Sequence, residues 1–444
     1  MLKYAIVGAG PSGLAGARNL SKLGIDFDGF ESAGEAGGLW NIDNPRSTMY
    51  DSAHLISSKT TTEFTEFPMA EGTPDYPGHK VLCKYFTEFA HTFDLLKYFR
   101  FNTEVTSVER VNDGWKVSWK SSGGAGAATT GSAVYAGVVL ANGTLAAPSI
   151  PAFPGTFDGE ILHSSQYKSP EIFRGKRVLI IGAGNSGCDI AVDAVHHAHS
   201  IDMSVRRGYY FVPRYMLGKP TDTLNQGRPL PARIKQAVDS RLLKLFTGDP
   251  VRFGFPQPDY RIYESHPIVN TLVLQHLGQG DLQIRPDIDR FEGHTVHFSD
   301  GTSDDYDLIM LATGYVLDYP FIDHRHLNWT GMAPTLFLNM FGADAGSSGF
   351  NGIYVLGMVE ASGLGWQGRY EQAELLARYL AADKHAQHDF ESQAEKPWPD
   401  LTGGYRYLAL ERMSFYVNKD AYRREVKKNI RKFRLRKQRT KEYE

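Results

Sequence analysis

The sequence predicts an α/β protein made of two similar strand–turn–helix units, one inserted into the other. A glycine-rich turn follows an apolar run twice, first over 4–13 and again over 178–187. A further apolar strand at 352–356 and a helical pattern at 367–381 follow the second unit. We therefore expect the chain to leave its first sheet, complete a second one, and then return to the first.

The first glycine turn, Gly-Ala-Gly-Pro-Ser-Gly at 8–13, follows the apolar run at 4–7. Its G-x-G-x-x-G spacing lets a backbone approach a pyrophosphate at a helix N-terminus. Glu31 lies 18 residues beyond Gly13, at the end of the next predicted strand. A carboxylate there accepts hydrogen bonds from ribose hydroxyls and repels a 2′-phosphate, which predicts FAD or NAD. The expected binding residues are Gly8, Gly10, Ser12, Gly13 and Glu31.

The second turn, Gly-Ala-Gly-Asn-Ser-Gly at 182–187, is followed by a different side chain at the ribose position. Arg206 lies 19 residues beyond Gly187, and Arg207 comes next. A guanidinium can form a fork onto a 2′-phosphate, and two contacts of roughly 1.5 kcal/mol each would favour NADPH over NADH about 100-fold. The alternative is a pair of solvated charges at a strand end. We predict FAD at the first turn and NADPH at the second, the latter bound by Gly182, Gly184, Asn185, Ser186, Gly187, Arg206 and Arg207.

Composition narrows the classes of protein to consider. The 444 residues are 42% hydrophobic, enough for two or three domain cores, and the net charge of −2 offers no case for nucleic-acid binding. Cys83 and Cys188 are the only cysteines, which favours a reducing compartment and disfavours disulfide reductases. No signal peptide, transmembrane segment or metal-binding cluster is visible, so we expect a cytoplasmic protein.

The expected domain boundaries follow from prolines and composition. Pro148, Pro151 and Pro154 predict a stiff crossing between an FAD domain at 1–152 and an NADPH domain at 153–318. Residues 319–444 would complete the FAD domain and end in a basic tail. Further expectations are a strand at 135–140, a mobile loop tip at 121–126 and helices at 13–23, 81–93 and 234–246.

The basic tail from 423 to 441 carries Val426, Ile430 and Phe433 at helical spacing. It could touch an anionic membrane surface or nucleic acid. The alternative, which we favour, is an amphipathic helix that packs a thin apolar stripe against the protein.

A segment between the two units carries a recognisable fingerprint. Phe157, Gly159, His163 and Tyr167 match F-x-G-x-x-x-H-x-x-x-(Y/F), and residues 307–315 resemble a second signature ending in Ala-Thr-Gly-Tyr. With the two glycine turns, these motifs resemble the flavin-containing monooxygenases over nearly the whole chain.

That resemblance implies an NADPH-dependent class B monooxygenase. In such enzymes NADPH reduces FAD, O₂ adds at flavin C4a, and NADP⁺ remains bound to shield the hydroperoxyflavin. The distal oxygen then passes to a soft nucleophile, an amine nitrogen or a sulfide sulfur, on a small organic substrate. The cofactor carries the chemistry, and the protein positions the reactants and excludes water. Relatives that oxygenate carbonyl compounds have Trp at the position of Tyr167, so the match favours heteroatom oxygenation.

One departure from the family concerns the flavin itself. The family has an active-site Asn in a Leu-x-(Ser/Thr)-Asn stretch, but residues 55–64 contain no Asn. Either Ser58 or Lys59 takes its place. Ser58 would replace the amide with a hydroxyl donor, whereas Lys59 would favour Baeyer–Villiger oxygenation of a carbonyl, unless its amine points at solvent or a nicotinamide phosphate. A third alternative is an uncoupled NADPH oxidase or a redox-sensing flavoprotein.

The resemblance implies roles for several other residues. Gly38, Leu39 and Trp40 would flank the flavin, although Trp40 could be a core residue. Thr313 would approach a cofactor or serve as a turn residue, and Gln367 would open a helix that points toward the isoalloxazine. We expect His163 to tie the domains together, with Tyr167 packed beside it, rather than to act as a base. A homodimer is the default oligomer.

Overall fold

The computed structural model describes residues 2–112, 114–122, 128–224, 230–343 and 349–443, with side chains described through 436. The α-helices in these ranges are α1 Pro11–Lys22, α2 Lys59–Thr62, α3 His79–Thr92, α4 Asn185–Val195, α5 Ala232–Thr247, α6 Leu272–Gln279, α7 Gly365–Leu380, α8 Lys384–Glu391 and α9 Lys419–Tyr443. The strands are β1 Tyr4–Val7, β2 Phe27–Phe30, β3 Phe99–Arg100, β4 Thr103–Val111, β5 Gly114–Ser121, β6 Thr129–Tyr135, β7 Gly137–Leu140, β8 Ala147–Pro148, β9 Gly155–Phe157, β10 Glu160–His163, β11 Arg177–Ile181, β12 Ser200–Ser204, β13 Tyr215–Met216, β14 Lys219–Pro220, β15 Gln283–Arg285, β16 Ile288–Gly293, β17 Thr295–Phe298, β18 Ser303–Asp305, β19 Leu308–Leu311, β20 Tyr315–Val316, β21 Trp329–Thr330, β22 Ala333–Pro334, β23 Phe341–Ala343 and β24 Phe350–Val355.

The first sheet has the strand order β23-β24-β7-β1-β2-β3, parallel except for the β23–β24 pair. Its two middle strands, β1 and β7, are apolar, as expected for strands covered on both faces. Ile6 and Val139 pack into one core, whereas Ala5, Val7 and Val138 pack into another on the opposite face. This alternation is the period of two that a strand imposes.

The second sheet, β10-β19-β11-β12-β15, is entirely parallel. Val178 and Ile180 of β11 face one core, and Leu179 and Ile181 face the other. In both sheets the glycine turn follows a strand flanked on each side by a parallel neighbour. The turns therefore lie at the carboxyl edges of their sheets, where α/β proteins bind ligands.

The predicted insertion is confirmed by the strand order, since β7 at 137–140 pairs with β24 at 350–355 while the whole second sheet lies between them in sequence. The outgoing and returning crossings pair with each other, β8 against β20. These two segments adjoin the predicted domain limits at 152 and 318, which remain predictions.

Most predicted elements occur within two residues of their expected limits. The strand expected at 135–140 begins two residues later, at Gly137 of β7, because Tyr135 ends β6 of a three-stranded antiparallel sheet. The chain changes sheets at Ala136, a break that an uninterrupted apolar run does not reveal. The loop tip expected at 121–126 lies mostly outside the described residues.

The basic tail forms the long helix α9, which packs against α7 and α8. Val426, Ile430 and Phe433 are buried in the first core, as the apolar stripe predicted. Acidic side chains of α7 pair with its cations, including Glu371 with Arg423 and Lys427. The tail is therefore a packed amphipathic helix. Within the described residues, no helix is long and apolar enough to cross a membrane.

Candidate functional site

The two glycine turns have nearly the same geometry. Gly8 and Gly182 adopt φ of +104° and +106°, which side chains rarely tolerate. A Cβ at either would also lie 2.5 to 2.6 Å from a carbonyl oxygen of the neighbouring strand's end, Ala141 or Ala312. These first glycines are required by the fold of the turn itself.

The last glycine of each turn is required by the helix that follows. A Cβ at Gly13 would overlap the carbonyl oxygen of Gly8, and one at Gly187 would overlap that of Gly182. The absence of a side chain lets α1 and α4 begin tightly against their own strands. Each helix N-terminus consequently faces the carboxyl edge of its sheet.

The middle glycines differ, because the protein alone does not require them. Gly10 and Gly184 have ordinary φ values of −76° and −68°. A Cβ at Gly184 would meet nothing within 4 Å, and one at Gly10 would meet only the Gly38 backbone, no nearer than 3.5 Å. A ligand that must approach the backbone closely explains both glycines, so the two turns fit dinucleotide pyrophosphates.

Glu31 is buried and held at the first turn by two backbone N–H groups. Its Oε2 accepts from Ala9 at 2.6 Å, and its Oε1 accepts from Ala33 at 2.8 Å. A carboxylate oxygen has capacity for more than one hydrogen bond, so ribose hydroxyls can still be accepted. Ser12, in the first turn of α1, packs against the backbone of Gly357.

The segment Gly38–Trp40 is a short 3-10 turn that lies on the first glycine turn. A Cβ at Gly38 would come within 2.9 Å of the Gly10 Cα, so only glycine permits this close packing. Trp40 is half-buried and meets Trp366 edge-on, with ring centroids 5.8 Å apart. Leu39 is also half-buried, and its carbonyl accepts from Ser47. The segment thus joins the glycine turn to the start of α7.

The structure separates the two side chains expected to replace the family Asn. Lys59 donates its amine to the carbonyl of Thr73. Ser58 is buried, and both its amide and its hydroxyl donate to Asp222 Oδ2, at 2.7 and 3.0 Å. Thr61 also donates to that oxygen.

Asp222 is a residue that sequence reasoning missed. It lies 164 positions from Ser58 in the sequence, just after β14, and no local motif marks it. Its second oxygen, Oδ1, is buried without a hydrogen-bond partner among the described residues. The carboxylate thus joins the segment after β14 to the start of α2. Its Oδ1 remains there as an acceptor that no described residue uses.

At the second turn, Asn185 is held by the protein, whereas Arg206 is exposed. Asn185 is engaged by the protein, accepting from the Val269 amide at 2.7 Å and donating to the Pro267 carbonyl at 3.3 Å. Arg206 is exposed just beyond β12, and the guanidinium of Arg207 lies 5.7 Å from the ring centre of Tyr209. Arg206 is therefore accessible to a phosphate at the strand end.

Ser186 lies close to the hydroxyl of Tyr50, which in turn donates to Asp189 Oδ2 at 3.1 Å. Burial raises the pKa of Asp189 despite hydrogen bonds from Asn270 and Tyr50. This places a polar, buried set of groups directly behind the second turn.

The fingerprint residues have structural contacts. A Cβ at Gly159 would strike the Phe157 ring at 2.6 Å, which explains the Phe-x-Gly spacing. His163 Nε2 donates to the Gly314 carbonyl at 3.1 Å, and its Nδ1 accepts from the Ser165 amide at 3.1 Å. Burial lowers the pKa of His163, which disfavours the protonated ring.

Tyr167 does not supply the ring contact expected beside His163. His163 meets Tyr315 edge-on, whereas Tyr167 is fully buried and stacks on Phe173. The Tyr167 hydroxyl donates to Asp193 Oδ2 at 2.8 Å.

Two further predicted residues connect segments of the fold. The Thr313 hydroxyl donates to the Ser149 carbonyl at 2.5 Å, between the outgoing and returning crossings. Gln367, in the first turn of α7, accepts from the Thr65 amide at 2.8 Å. Its helix begins at Gly365, packed on the backbone of Thr61 and Thr62. Cofactor contacts for these two residues remain predictions.

Comparison with known proteins agrees with this geometry. The family described as FMO-like, flavin-binding monooxygenase-like, matches residues 1–385. Flavin-containing monooxygenase 2 of Homo sapiens is 31% identical over 401 residues, which cover 85% of this chain and 72% of the human protein.

Two solved structures share the fold. A flavin-containing monooxygenase from Stenotrophomonas maltophilia has a TM-score of 0.62 at 19% identity, covering 85% of this chain and 97% of that one. The NADP⁺-bound cyclohexanone monooxygenase from Rhodococcus sp. Phi1 has a TM-score of 0.65 at 20% identity, covering 86% of this chain and 84% of that one. The chain belongs to the flavin-binding monooxygenase-like family and is a monooxygenase that uses FAD and NADPH.

Proposed function

We propose that the enzyme oxygenates a soft nucleophile, an amine nitrogen or a sulfide sulfur, on a small organic substrate. The overall reaction consumes the substrate, O₂, NADPH and a proton, and yields the N-oxide or sulfoxide, water and NADP⁺. When bound, FAD supplies the redox chemistry that activates O₂. Every other contribution comes from binding, orientation and exclusion of water by the protein.

The observation that carries this proposal is the placement of Lys59. Its amine donates to the Thr73 carbonyl, and an amine engaged by the protein weakens the argument for a carbonyl substrate. Tyr167, which is Trp in carbonyl-oxygenating relatives, is fully buried and donates its hydroxyl to Asp193. Both residues favour heteroatom oxygenation.

In this proposal each glycine turn presents its helix N-terminus to one pyrophosphate, with Glu31 at the FAD ribose and Arg206 at the NADPH 2′-phosphate. Ser58 is oriented by Asp222, because that carboxylate holds both its amide and its hydroxyl. Asp222 is thus a positioning residue for the start of α2. Its contact across the two domains also couples the NADPH side to this segment.

The test is product analysis with FAD-loaded protein, NADPH and O₂. A methyl aryl sulfide, a tertiary aniline and a cyclic ketone are supplied separately, and product, NADPH and hydrogen peroxide are quantified. Sulfoxide or N-oxide, with less peroxide than NADPH consumed, supports the proposal. Ester without sulfoxide or N-oxide would mean a Baeyer–Villiger enzyme. Peroxide equal to NADPH with all three substrates would mean an oxidase or redox sensor.

A cytoplasmic location and a homodimer belong to the same proposal. The two unpaired cysteines support the first, since Cys188 is fully buried as a thiol. Cell fractionation and analytical ultracentrifugation test the two statements separately.

A further inference from the structure

Residues 47–53 form a strap that passes from the first unit into the core of the second. Tyr50 and Ala53 are buried in the core on one face of the second sheet. Ala36, before the strap, and Leu55, after it, are buried instead in a core of the first sheet. Ala53 and Leu55 are only two positions apart, so the chain crosses between the cores there. No motif in the sequence marks this crossing.

Lys168 holds the backbone of the strap. Its ammonium group donates to the carbonyls of Ser47 and Met49, at 2.9 and 3.0 Å. Its own carbonyl accepts from the Asp51 amide at 2.9 Å. Three hydrogen bonds therefore join the strap to the residue that directly follows Tyr167, the last position of the fingerprint.

Two carboxylates of α4 hold the side chains of the strap. Asp189 Oδ2 accepts from the Tyr50 hydroxyl at 3.1 Å. Asp193 Oδ2 accepts from the Ser52 hydroxyl and, at 2.8 Å, from the Tyr167 hydroxyl. The two aspartates are four positions apart and so lie on the same face of the helix. Because α4 begins at the second glycine turn, the strap is tied to the helix that faces the NADPH pyrophosphate.

The two ends of the strap lead to segments that the family resemblance places beside the flavin. At one end, the Ser47 hydroxyl donates to the carbonyl of Leu39, in the short turn where Gly38 packs on Gly10. Beyond the other end, the chain reaches Ser58 at the start of α2. The strap therefore connects both flavin-side segments to the NADPH unit.

We infer that Lys168 and Asp193 are positioning residues for flavin reduction. By holding the strap on the NADPH unit, they set the distance between the flavin-side segments and the NADPH turn. Reaction between two bound cofactors depends on their separation, and a displacement of about 1 Å can cost on the order of 100-fold in rate. This inference rests on the proposed function, because that function requires NADPH to reduce the flavin before oxygenation.

The inference also gives the fingerprint a physical role. Its last residue, Tyr167, and the following Lys168 both meet the strap or the carboxylate that holds it. The fingerprint segment thus forms the seat on which the strap rests. The two glycine turns are separate from these contacts, so nucleotide affinity and cofactor placement can be changed independently.

The kinetic test removes single contacts of the strap in FAD-loaded protein. Lys168→Met removes two hydrogen bonds to the strap, and Ser52→Ala removes its bond to Asp193 while leaving Tyr167 in place. In anaerobic stopped-flow experiments with NADPH, each should slow flavin reduction about tenfold, and the double variant up to roughly 100-fold. The NADP⁺ affinity measured by calorimetry should change less than about threefold, since one such nucleotide contact would account for more.

Two further variants distinguish positioning from a general loss of stability. Lys168→Arg retains donors for both carbonyls and should restore most of the reduction rate. Lys176→Met is the matched control, because it removes an ion pair of 2.8 Å to Glu160 within the second unit and should leave the rate unchanged. Thermal unfolding verifies that each variant is folded.

A second readout requires neither NADPH nor turnover. Hydrogen exchange followed by mass spectrometry should show faster exchange of residues 47–53 in Lys168→Met and in Ser52→Ala, with exchange of α1 unchanged. Failure of all substrates to be oxygenated would refute the proposed function, whereas slowed flavin reduction with a loosened strap would still support this inference. An unchanged reduction rate in folded Lys168→Met, equal losses in rate and NADP⁺ affinity, or unchanged exchange of the strap would overturn it.

Discussion

The middle glycine of the NADPH turn offers a substitution that separates ligand binding from folding. In Gly184→Ala, the added methyl meets no protein atom within 4 Å, and the backbone φ of −68° suits alanine. The change in the free energy of unfolding should stay within about 1 kcal/mol, since a lost helix-capping preference and a stiffer unfolded chain act in opposite directions.

The same methyl would occupy the space through which a pyrophosphate must approach. Overpacking of this kind costs about 1–3 kcal/mol, which corresponds to a loss of roughly 5- to 150-fold in NADPH affinity. Titration of NADP⁺ into FAD-loaded protein by calorimetry measures the affinity, and FAD content reports on the other turn.

Gly187→Ala is the matched structural control. Its methyl would overlap the Gly182 carbonyl, so it should lower the melting temperature by several degrees, as a core clash does. If Gly184→Ala bound NADP⁺ as tightly as the wild type, the pyrophosphate would not lie over Gly184, and the reasoning from the middle glycine would be refuted.

Three other predictions concern single contacts. Arg206→Ala should weaken NADPH binding about tenfold and NADH binding much less, because only NADPH has the 2′-phosphate; equal losses for the two nucleotides in titrations would contradict the assignment. Tyr167→Phe removes the 2.8 Å hydrogen bond to Asp193 and should cost about 1–3 kcal/mol in urea unfolding, and a change below about 0.5 kcal/mol would show that bond to be unimportant. Burial acts to raise the pKa of Glu66, but hydrogen bonds from Arg18, Tyr370 and Lys22 lower it to about 2. Its stabilising effect is therefore complete above pH 4.5 and is lost as pH falls toward 2. Glu66→Gln should be less stable than the wild type by about 1–2 kcal/mol at pH 7, allowing for partial exposure, and the gap should close near pH 2; a constant gap would refute the linkage.

Much of the architecture was accessible from local sequence signals. The turns at 8–13 and 182–187 are specified by residues adjacent in the chain, because a backbone turn depends on the side chains of its own few residues. The apolar pattern of Val426, Ile430 and Phe433 likewise predicted the buried stripe of α9, since helical periodicity determines which face is apolar. The sheet to which each strand belongs was harder to predict. Tyr135 and Gly137 lie two residues apart in one apolar run, yet they belong to different sheets.

The side chains around the predicted flavin site depended on contacts between distant segments. The sequence left Ser58 and Lys59 as equal alternatives for the place of the family's active-site Asn. Neither the backbone register nor the charge of these residues could identify the group to which each side chain bonds. In the folded chain, Asp222 reaches Ser58 from 164 positions away and the Thr73 carbonyl takes the Lys59 amine.

The sequence by itself thus determined the two dinucleotide turns, the insertion of one unit into the other, and the membership of the chain in a monooxygenase family. Only the tertiary structure decided which polar groups meet, including the contacts of residues 47–53 with Lys168 and Asp193. The physical reason is the distance along the chain between the residues that interact. Turn geometry and periodicity arise from neighbouring residues, whereas the polar contacts of the strap exist only after folding has brought remote side chains together and excluded water from them.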